Sequence, residues 1–242
     1  SANSTTYTST VVIDYTPPTT APTTNLTASL YNEAKTVELS GYETGDTSYY
    51  SKDGGVSWIT YNPSDKETLG DGTYYIATYR EDAAGNRSSS SAVKTVTIKG
   101  NFAEVTNFSV DAADGYYAAG SNVTFTLDYA EDVKIGTATA AKLTFEDIND
   151  SSKTKTVNVT VPSGGQTSSL KFNYTVGTTD EFKGIKVTKI VFDSTVEDTY
   201  GNKPSYSGTA NTLTPTNCTY LNATDGGKRS GINLDGVAPV IS

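Results

Sequence analysis

Asp82-Ala83-Ala84-Gly85-Asn86-Arg87-Ser88-Ser89 leads, after three further residues, into Val93-Lys94-Thr95-Val96-Thr97-Ile98. A polar, glycine-containing loop followed by alternating apolar and polar residues is typical of a last turn and a last β-strand. Residues 2–14 have the same order, a polar run before an apolar segment, and a Pro/Thr junction follows at residues 16–22. A third junction lies at residues 232–239. Because similar ends recur along the chain, we expect a segment of a longer array of repeats.

Strand patterns dominate the rest of the sequence. Apolar residues alternate with polar ones in residues 123–129, 157–161 and 170–176, and no long segment has a helical period. A period of two predicts strands with one face on a core and the other in water. The sequence therefore predicts an all-β fold made of two tandem Ig-like or Greek-key β-sandwich domains.

Turn residues and changes of composition divide the 242 residues into four parts. Residues 1–18 are predicted to be the terminal strand and linker of a preceding repeat, and residues 19–100 the first sandwich. Residues 101–233 are predicted to form a second, longer sandwich, and residues 234–242 a linker to a following repeat. Each sandwich has a length that suits an independent core. In the first, we expect strands near residues 25–31, 35–40, 46–51, 56–61, 73–80 and 92–98.

Residues 69–74 match a tyrosine corner, in which a tyrosine hydroxyl bonds back to the preceding backbone and fixes a Greek-key crossing. We therefore expect Tyr74 to be largely buried. This segment and the Asp-Ala-Ala-Gly-Asn sequence at residues 82–86 resemble the bacterial Ig-like tandem repeats of large cell-surface adhesins, over about residues 10–100. The second sandwich, through residues 114–123 and 198–202, is similar to the longer sandwich repeats of giant bacterial surface proteins. The resemblance implies a stack of sandwiches that extends a binding tip from a cell envelope.

Charge and composition exclude several function classes. The net charge is −9 with scattered charges, so neither nucleic acid nor a membrane surface is an expected partner. The absence of histidine excludes Ser-His-Asp and Cys-His catalysis and histidine metal sites. A carboxylate pair stays formally open, but nothing selects one among 27 Asp and Glu residues, so we predict no enzyme and no catalytic residue. The single cysteine, Cys218, is predicted to be a small, partly buried strand residue.

Residues 51–58, Ser-Lys-Asp-Gly-Gly-Val-Ser-Trp, fit the Asp-box pattern of sialidase-like propellers. A propeller would repeat this pattern in blade after blade, whereas here it occurs once. Sialidase chemistry also needs clustered arginines, and this chain has three. We therefore interpret the segment as a structural hairpin. In it, Asp53 accepts hydrogen bonds from local amides, the glycines take positive φ, and Trp58 packs beside the turn.

Calcium is the one cofactor that the sequence leaves open. The acidic chain offers hard oxygen ligands, and the repeats that it resembles often hold calcium near their junctions. One loop cannot supply the about six to eight oxygens that Ca²⁺ prefers, so a site would have to gather several segments. The alternative is that these residues cap turns through Asx hydrogen bonds. The candidate ligands are Asp14, Asp82, Asn86, Asp111, Asp114 and Asp198.

Tyrosines are frequent, and six aromatic residues of the first sandwich are candidates for a sugar-stacking platform: Tyr49, Tyr50, Trp58, Tyr61, Tyr75 and Tyr79. The alternative is ordinary cross-strand packing, because aromatic residues suit strand surfaces.

These observations favour non-catalytic stalk modules of a long prokaryotic cell-surface protein that space and present an adhesive region. The expected location is extracellular, since a disulfide-free extracellular β-protein fits a prokaryotic surface. The expected partners are neighbouring repeats of the same chain, with a host or surface glycan or protein left open. The alternative is a carbohydrate-binding module or an accessory sandwich domain of a secreted glycosidase.

Overall fold

A computed structural model describes residues 13–160, 165–209 and 211–238. These residues form two compact units that divide between Gly100 and Asn101. Within the described ranges the secondary structure is β-strand, apart from one short 3₁₀ turn at Thr219–Asn222. The all-β, two-sandwich prediction is confirmed. The predicted preceding strand at residues 10–13 falls largely outside the described residues.

The first unit consists of two facing layers. One is a five-stranded sheet in the order β2-β9-β8-β5-β6, in which β2 and β9 are parallel and the other pairs antiparallel. The facing layer is formed by the pairs β1–β4 and β3–β7. The described strands of this unit are β1 (Thr23–Thr24), β2 (Leu30–Tyr31), β3 (Lys35–Thr36), β4 (Leu39–Ser40), β5 (Thr47–Ser51), β6 (Ile59–Thr60), β7 (Thr68–Leu69), β8 (Gly72–Glu81) and β9 (Lys94–Ile98).

The core of the first unit lies between these layers. Val37, Leu39 and Leu69 from the smaller layer pack with Ile76 and Val96 from the five-stranded sheet, and all are at most 5% exposed. Burial of such aliphatic side chains, at about 1.5–3 kcal/mol each, is the main force that joins the layers. The expected strands at 25–31 and 56–61 are much shorter in the structure, and β7 was not predicted.

The tyrosine corner is present in the first unit. The Tyr74 hydroxyl donates to the carbonyl oxygen of Gly70 at 3.0 Å, as predicted. The side chain is half-buried rather than largely buried, because it lies at the edge of the core instead of within it. The corner therefore fixes the chain path before β8 but adds less apolar burial than the sequence suggested.

The second unit is a larger sandwich with a phenylalanine-rich core. One layer has the order β10-β12-β15 and the other β13-β16-β19-β11, while β14 pairs with both β13 and β15 and so joins the layers. Phe125 and Phe172 from one layer face Phe145 and Phe192 from the other, and all four are fully buried. The described strands are β10 (Val105–Asp111), β11 (Gly115–Ala118), β12 (Asn122–Lys134), β13 (Ala141–Asp147), β14 (Thr154–Thr160), β15 (Gln166–Thr175), β16 (Glu181–Phe192), β17 (Glu197–Asp198), β18 (Thr212–Leu213) and β19 (Lys228–Asp235).

The alternation of the sequence sets the inward faces of this unit. Val123, Phe125, Leu127 and Tyr129 on β12 are all buried, as the period of two predicts. The predicted alternation at residues 157–161 holds for the described part, and Val161 itself lies outside the described residues. Strand β19 continues to Asp235, and the Gly236 amide donates to the Asp180 carbonyl at 2.8 Å. The second sandwich therefore extends past residue 233, where the sequence analysis placed its end.

Candidate functional site

The loop at residues 81–87 closes on itself through one aspartate. Asp82 Oδ1 accepts hydrogen bonds from the amides of Ala84 and Asn86, each at 2.9 Å. Asp82 Oδ2 accepts a bond from Asn86 Nδ2 at 3.0 Å. Gly85 has a φ of +89°, which a residue without Cβ adopts without strain. These bonds, led by the Asn86 side chain, lower the pKa of the Asp82 carboxyl below its ordinary value.

The same asparagine also holds a distant part of the chain. Asn86 Nδ2 donates to the backbone carbonyl oxygen of Asp14 at 3.0 Å, across 72 residues of sequence. An ion pair of 2.9 Å between Arg87 and Glu81 spans the base of the loop. We call the loop at residues 81–87, with its bond to Asp14, the first clamp, because it fixes the segment by which the chain enters the unit.

The second unit contains an equivalent clamp. Asp198 Oδ1 accepts bonds from the amides of Tyr200 and Asn202, each at 2.9 Å, and Oδ2 accepts one from Asn202 Nδ2 at 3.0 Å. Asn202 Nδ2 donates at 2.9 Å to the carbonyl oxygen of Asn101, the first residue of this unit. An ion pair of 2.9 Å joins Lys203 to Glu197. The loop at residues 197–203 with its bond to Asn101 is the second clamp.

The two clamps share one sequence, Glu-Asp-x-x-Gly-Asn followed by a basic residue. Their corresponding bond lengths agree within 0.1 Å for the bonds named above. They differ in burial, because Asp198 and Asn202 are only 3% and 8% exposed whereas the first clamp is partly open to solvent. The asparagine bonds are therefore better shielded from competing water in the second clamp.

The structure places the calcium candidates in different surroundings. Asp14, Asp82 and Asn86 do come together, in the first clamp, but through the backbone carbonyl of Asp14. Asp198 lies in the second clamp, and Asp114 instead accepts a hydrogen bond from Arg229 at 3.0 Å. No group of three or more carboxylate or thiol side chains within metal-binding reach exists among the described residues. Asp111 takes part in no such group.

These residues do not fit a calcium ion. In each clamp an amide NH₂ group lies between a carboxylate oxygen and a backbone carbonyl oxygen, and it donates to both. Ca²⁺ would need these same oxygens and several more. Asp82 and Asp198 instead cap their own turns through Asx hydrogen bonds, which is the alternative that the sequence left open. The acidic-to-Gly-Asn pattern can be read from the sequence at residues 82–86 and 198–202, whereas Asn101 could not be identified, because a backbone carbonyl leaves no side-chain signal.

The Asp-box segment is a structural turn, as predicted. Asp53 accepts bonds from the amides of Val56 and Ser57 and from the hydroxyls of Ser51 and Ser57, at 2.5 to 3.1 Å. Gly54 and Gly55 have φ values of +80° and +95°. The hydroxyl and amide of Ser57 contribute most to lowering the pKa of the Asp53 carboxyl. The carboxylate is therefore used as an acceptor for its own turn.

The aromatic residues of the first unit pack mainly on each other. The rings of Tyr49 and Tyr79 stack with 4.6 Å between centroids, and Trp58 meets Tyr79 edge-on at 4.6 Å. The Arg87 guanidinium lies 5.1 Å from the Tyr79 ring centre, so this cluster continues into the first clamp. Tyr50 is buried and donates to Glu67 at 2.5 Å. The structure therefore favours cross-strand packing over a sugar platform for these rings.

Cys218 lies beside a groove of about 520 Å³ in the second unit, lined in part by Phe102, Tyr206 and Tyr220. Cys218 is only 7% exposed, and it lies directly before the 3₁₀ turn rather than in a strand as predicted. Its burial raises the pKa of the thiol. The hydroxyls of Tyr206 and Tyr129 lie 2.9 Å apart in the same region. A buried thiol with a raised pKa is a poor nucleophile, so Cys218 acts as a packing residue.

Comparisons with known proteins give little further guidance. No family model and no curated protein matches the chain. A solved structure of fibronectin(III)-like modules from Clostridium thermocellum CbhA aligns with 11% identity and a TM-score of 0.27. The alignment covers 74% of this chain and 87% of that one. Such a low score supports no conclusion about function. In the described ranges, no helix has both the length and the apolar character to cross a membrane.

Proposed function

We propose that this chain is a pair of non-catalytic spacer modules from a long prokaryotic cell-surface protein. The observation that carries the proposal is the repetition of the clamp in two sandwiches of different size and topology. In each clamp, the side-chain amide of an asparagine donates a hydrogen bond to a backbone carbonyl oxygen that lies before the first strand of the same unit. A clamp in that position serves to hold the incoming chain, which a tandem array requires at every joint.

The physical reason is that a joint between modules is otherwise free to bend. A linker with no bonds to either module samples many conformations, and ordering each residue costs about 1–2 kcal/mol of backbone entropy. A bond to the incoming backbone, anchored in a rigid Asx loop, removes part of that freedom. Because the acceptor is a backbone oxygen, the bond does not depend on the side chain of the incoming residue, and any residue can occupy that position. This property suits an array whose linkers vary in sequence.

Surface chemistry supports the same proposal. The net charge of −9 keeps such modules soluble and disfavours nucleic acid and anionic membranes as partners. The chain has one cysteine and no methionine, so it offers few targets for oxidation outside the cell. The proposed location is extracellular, with neighbouring repeats as the constant partners and an adhesive region elsewhere in the array. The alternative role, an accessory sandwich of a secreted glycosidase, shares these surface properties.

Two measurements test the proposal. An antibody raised against this chain should bind intact source cells, and mild protease treatment of those cells should remove the epitope. In solution, backbone ¹⁵N relaxation should show the segment at Asn101 to be as rigid as the rest of its unit, and Asn202→Ala should raise the mobility of this segment while the unit stays folded. Binding only after cell lysis would contradict the surface location. Relaxation at this segment that is unchanged by Asn202→Ala would contradict the role of the clamp in holding the incoming chain.

A further inference from the structure

An exposed tyrosine and a row of polar side chains share the outer face of the second unit. Tyr116 on β11 pairs with Asn233 on β19, which in turn pairs with Lys183 on β16. Because directly paired residues of neighbouring strands point to the same side of a sheet, these three side chains form one row. The intervening residues Phe182 and Leu234 point the other way and are buried in the core.

A second row lies beside the first. Ala118 pairs with Asp235, and Asp235 pairs with Glu181, two residues along each strand from the first row. All three are exposed. The small side chain of Ala118 leaves space next to Tyr116. Lys153 and the residues of both rows except Ala118 line a groove of about 550 Å³, within the range of roughly 300–1,000 Å³ that is usual for small-molecule sites.

Four of the side chains that line this groove are not used by the fold, whereas those of Asn233 and Lys153 donate to backbone carbonyls. Tyr116 is 81% exposed, so its side chain is open to contact by a ligand. Among the described residues, the side chains of Glu181, Lys183 and Asp235 make no hydrogen bond or ion pair with another residue. Asp235 and Glu181 are like charges in directly opposite positions, which is unfavourable in a sheet. Packing and stability therefore do not account for this arrangement.

The chemistry of the groove points to one class of ligand. A pyranose ring has an apolar face of C–H groups that packs on an aromatic ring and a rim of hydroxyls that both donate and accept. Tyr116 supplies the ring, the carboxylates of Glu181 and Asp235 supply acceptors, and Lys183 supplies a donor. The two carboxylates are balanced by the ammonium groups of Lys153 and Lys183, so neither an anionic nor a cationic ligand gains a net attraction.

We propose that this outer face of the second unit is a binding site for a neutral glycan, with Tyr116 as the stacking residue. Asn233, Lys183, Asp235 and Glu181 form hydrogen bonds with its hydroxyls. The site goes beyond the spacer role and does not depend on it, because it lies on β11, β16 and β19 and shares no residue with the second clamp. It would allow a spacer module to attach laterally to a polysaccharide.

Isothermal titration of the whole chain tests the site. The probes are the β-1,4-linked tetrasaccharides of glucose, xylose and N-acetylglucosamine and the α-1,4-linked tetrasaccharide of glucose. We expect at least one to bind, with Tyr116→Ala weakening its affinity by about tenfold or more, since a lost contact of about 1.4 kcal/mol has that effect. Tyr116→Phe should stay within about threefold of the parent affinity, because the ring face is kept.

Tyr15→Ala is the matched control, because Tyr15 is 83% exposed and belongs to the other unit. It should leave binding unchanged, and circular dichroism should show that every variant is folded. Failure of all four probes to bind at millimolar concentration would overturn the proposal. So would equal binding by Tyr116→Ala and the parent chain.

Discussion

The side-chain amide nitrogen of Asn202 lies 2.9 Å from the backbone carbonyl oxygen of Asn101, which is 101 residues earlier in the chain. The Asn86 amide has the same relationship with the Asp14 carbonyl, at 3.0 Å. Two sandwiches with different strand orders thus hold their incoming chains by the same bond. The asparagine that ends the Glu-Asp-x-x-Gly-Asn sequence is therefore the residue on which the first tests should concentrate.

Replacement of this asparagine should destabilise the second unit. In Asn202→Ala, the carboxylate of Asp198, which is 3% exposed, loses a donor, and so does the backbone carbonyl of the exposed Asn101. Leaving buried acceptors unsatisfied costs about 1–3 kcal/mol, so the free energy of unfolding should fall by that amount. Urea unfolding measures the change. Asn158→Ala, on an exposed position of β14, is the control and should have a much smaller effect.

A change to aspartate should make the second clamp depend on calcium. Asn202→Asp replaces the amide donor by a carboxylate that faces the Asp198 carboxylate and the Asn101 carbonyl. The repulsion should lower the melting temperature, and millimolar Ca²⁺ should restore part of it by binding the new oxygen cluster. The parent chain should melt at the same temperature with Ca²⁺ and with chelator. A calcium-dependent parent chain would show that an amide does not replace a cation here.

Two tyrosine-to-phenylalanine changes should lower the free energy of unfolding by different amounts. Tyr174→Phe removes the hydroxyl that donates to the buried carboxylate of Asp180. The same carboxylate forms an ion pair of 2.6 Å with Lys155. Bonds to charged groups contribute about 1.5–3 kcal/mol, and we expect a loss in that range. Tyr74→Phe removes a bond to Gly70, whose exposed carbonyl can be hydrated instead, so its cost should be at most about 1 kcal/mol. Equal losses for the two variants would contradict this difference in environment.

Stability should be nearly independent of pH from about pH 5 to pH 9, because the chain has no histidine to titrate there. The folded state lowers the pKa of Asp53 and Asp82 from 3.8, so their stabilisation is complete above that value and is lost as the pH falls further.

Burial and bonded carboxylates raise the pKa of Tyr50 and Tyr174 above 10.0. Their stabilisation is complete below pH 10 and is lost as the pH rises beyond it.

Scanning calorimetry across this range checks the plateau. A melting temperature that changes steeply between pH 6 and pH 8 would contradict it, because none of these four groups titrates in that interval.

Much of the fold could be predicted from the sequence because period-two alternation directly reflects which side of a strand is buried. The inward residues of β12 and the turn around Asp53 follow from local patterns alone. Strand β7 could not be predicted, since Thr68–Leu69 is too short to have a period. The double pairing of β14 depends on long-range contacts that leave no local signal.

The candidate sites show the same limit. The clamp loops were visible as a repeated sequence, and Asp14, Asp82 and Asn86 of the first clamp were among the calcium candidates. The groove at Tyr116 was not predicted, because the pairing of β11 with β19 joins residues that are 117 apart in the sequence. An aromatic residue on a strand gives no indication of whether its face is covered until that register is known.

The parallel pairing of β2 with β9 has a consequence for a chain under tension. The Thr97 amide donates to the Ser29 carbonyl at 2.8 Å, and the Lys99 amide donates to the Tyr31 carbonyl at 2.9 Å. Pulling outward on the two ends of the first unit drives these parallel strands past each other along their length, so both bonds are loaded together. An antiparallel pair pulled at one end would instead open one bond at a time. Shear of this kind lets a short strand resist being drawn out of its sheet.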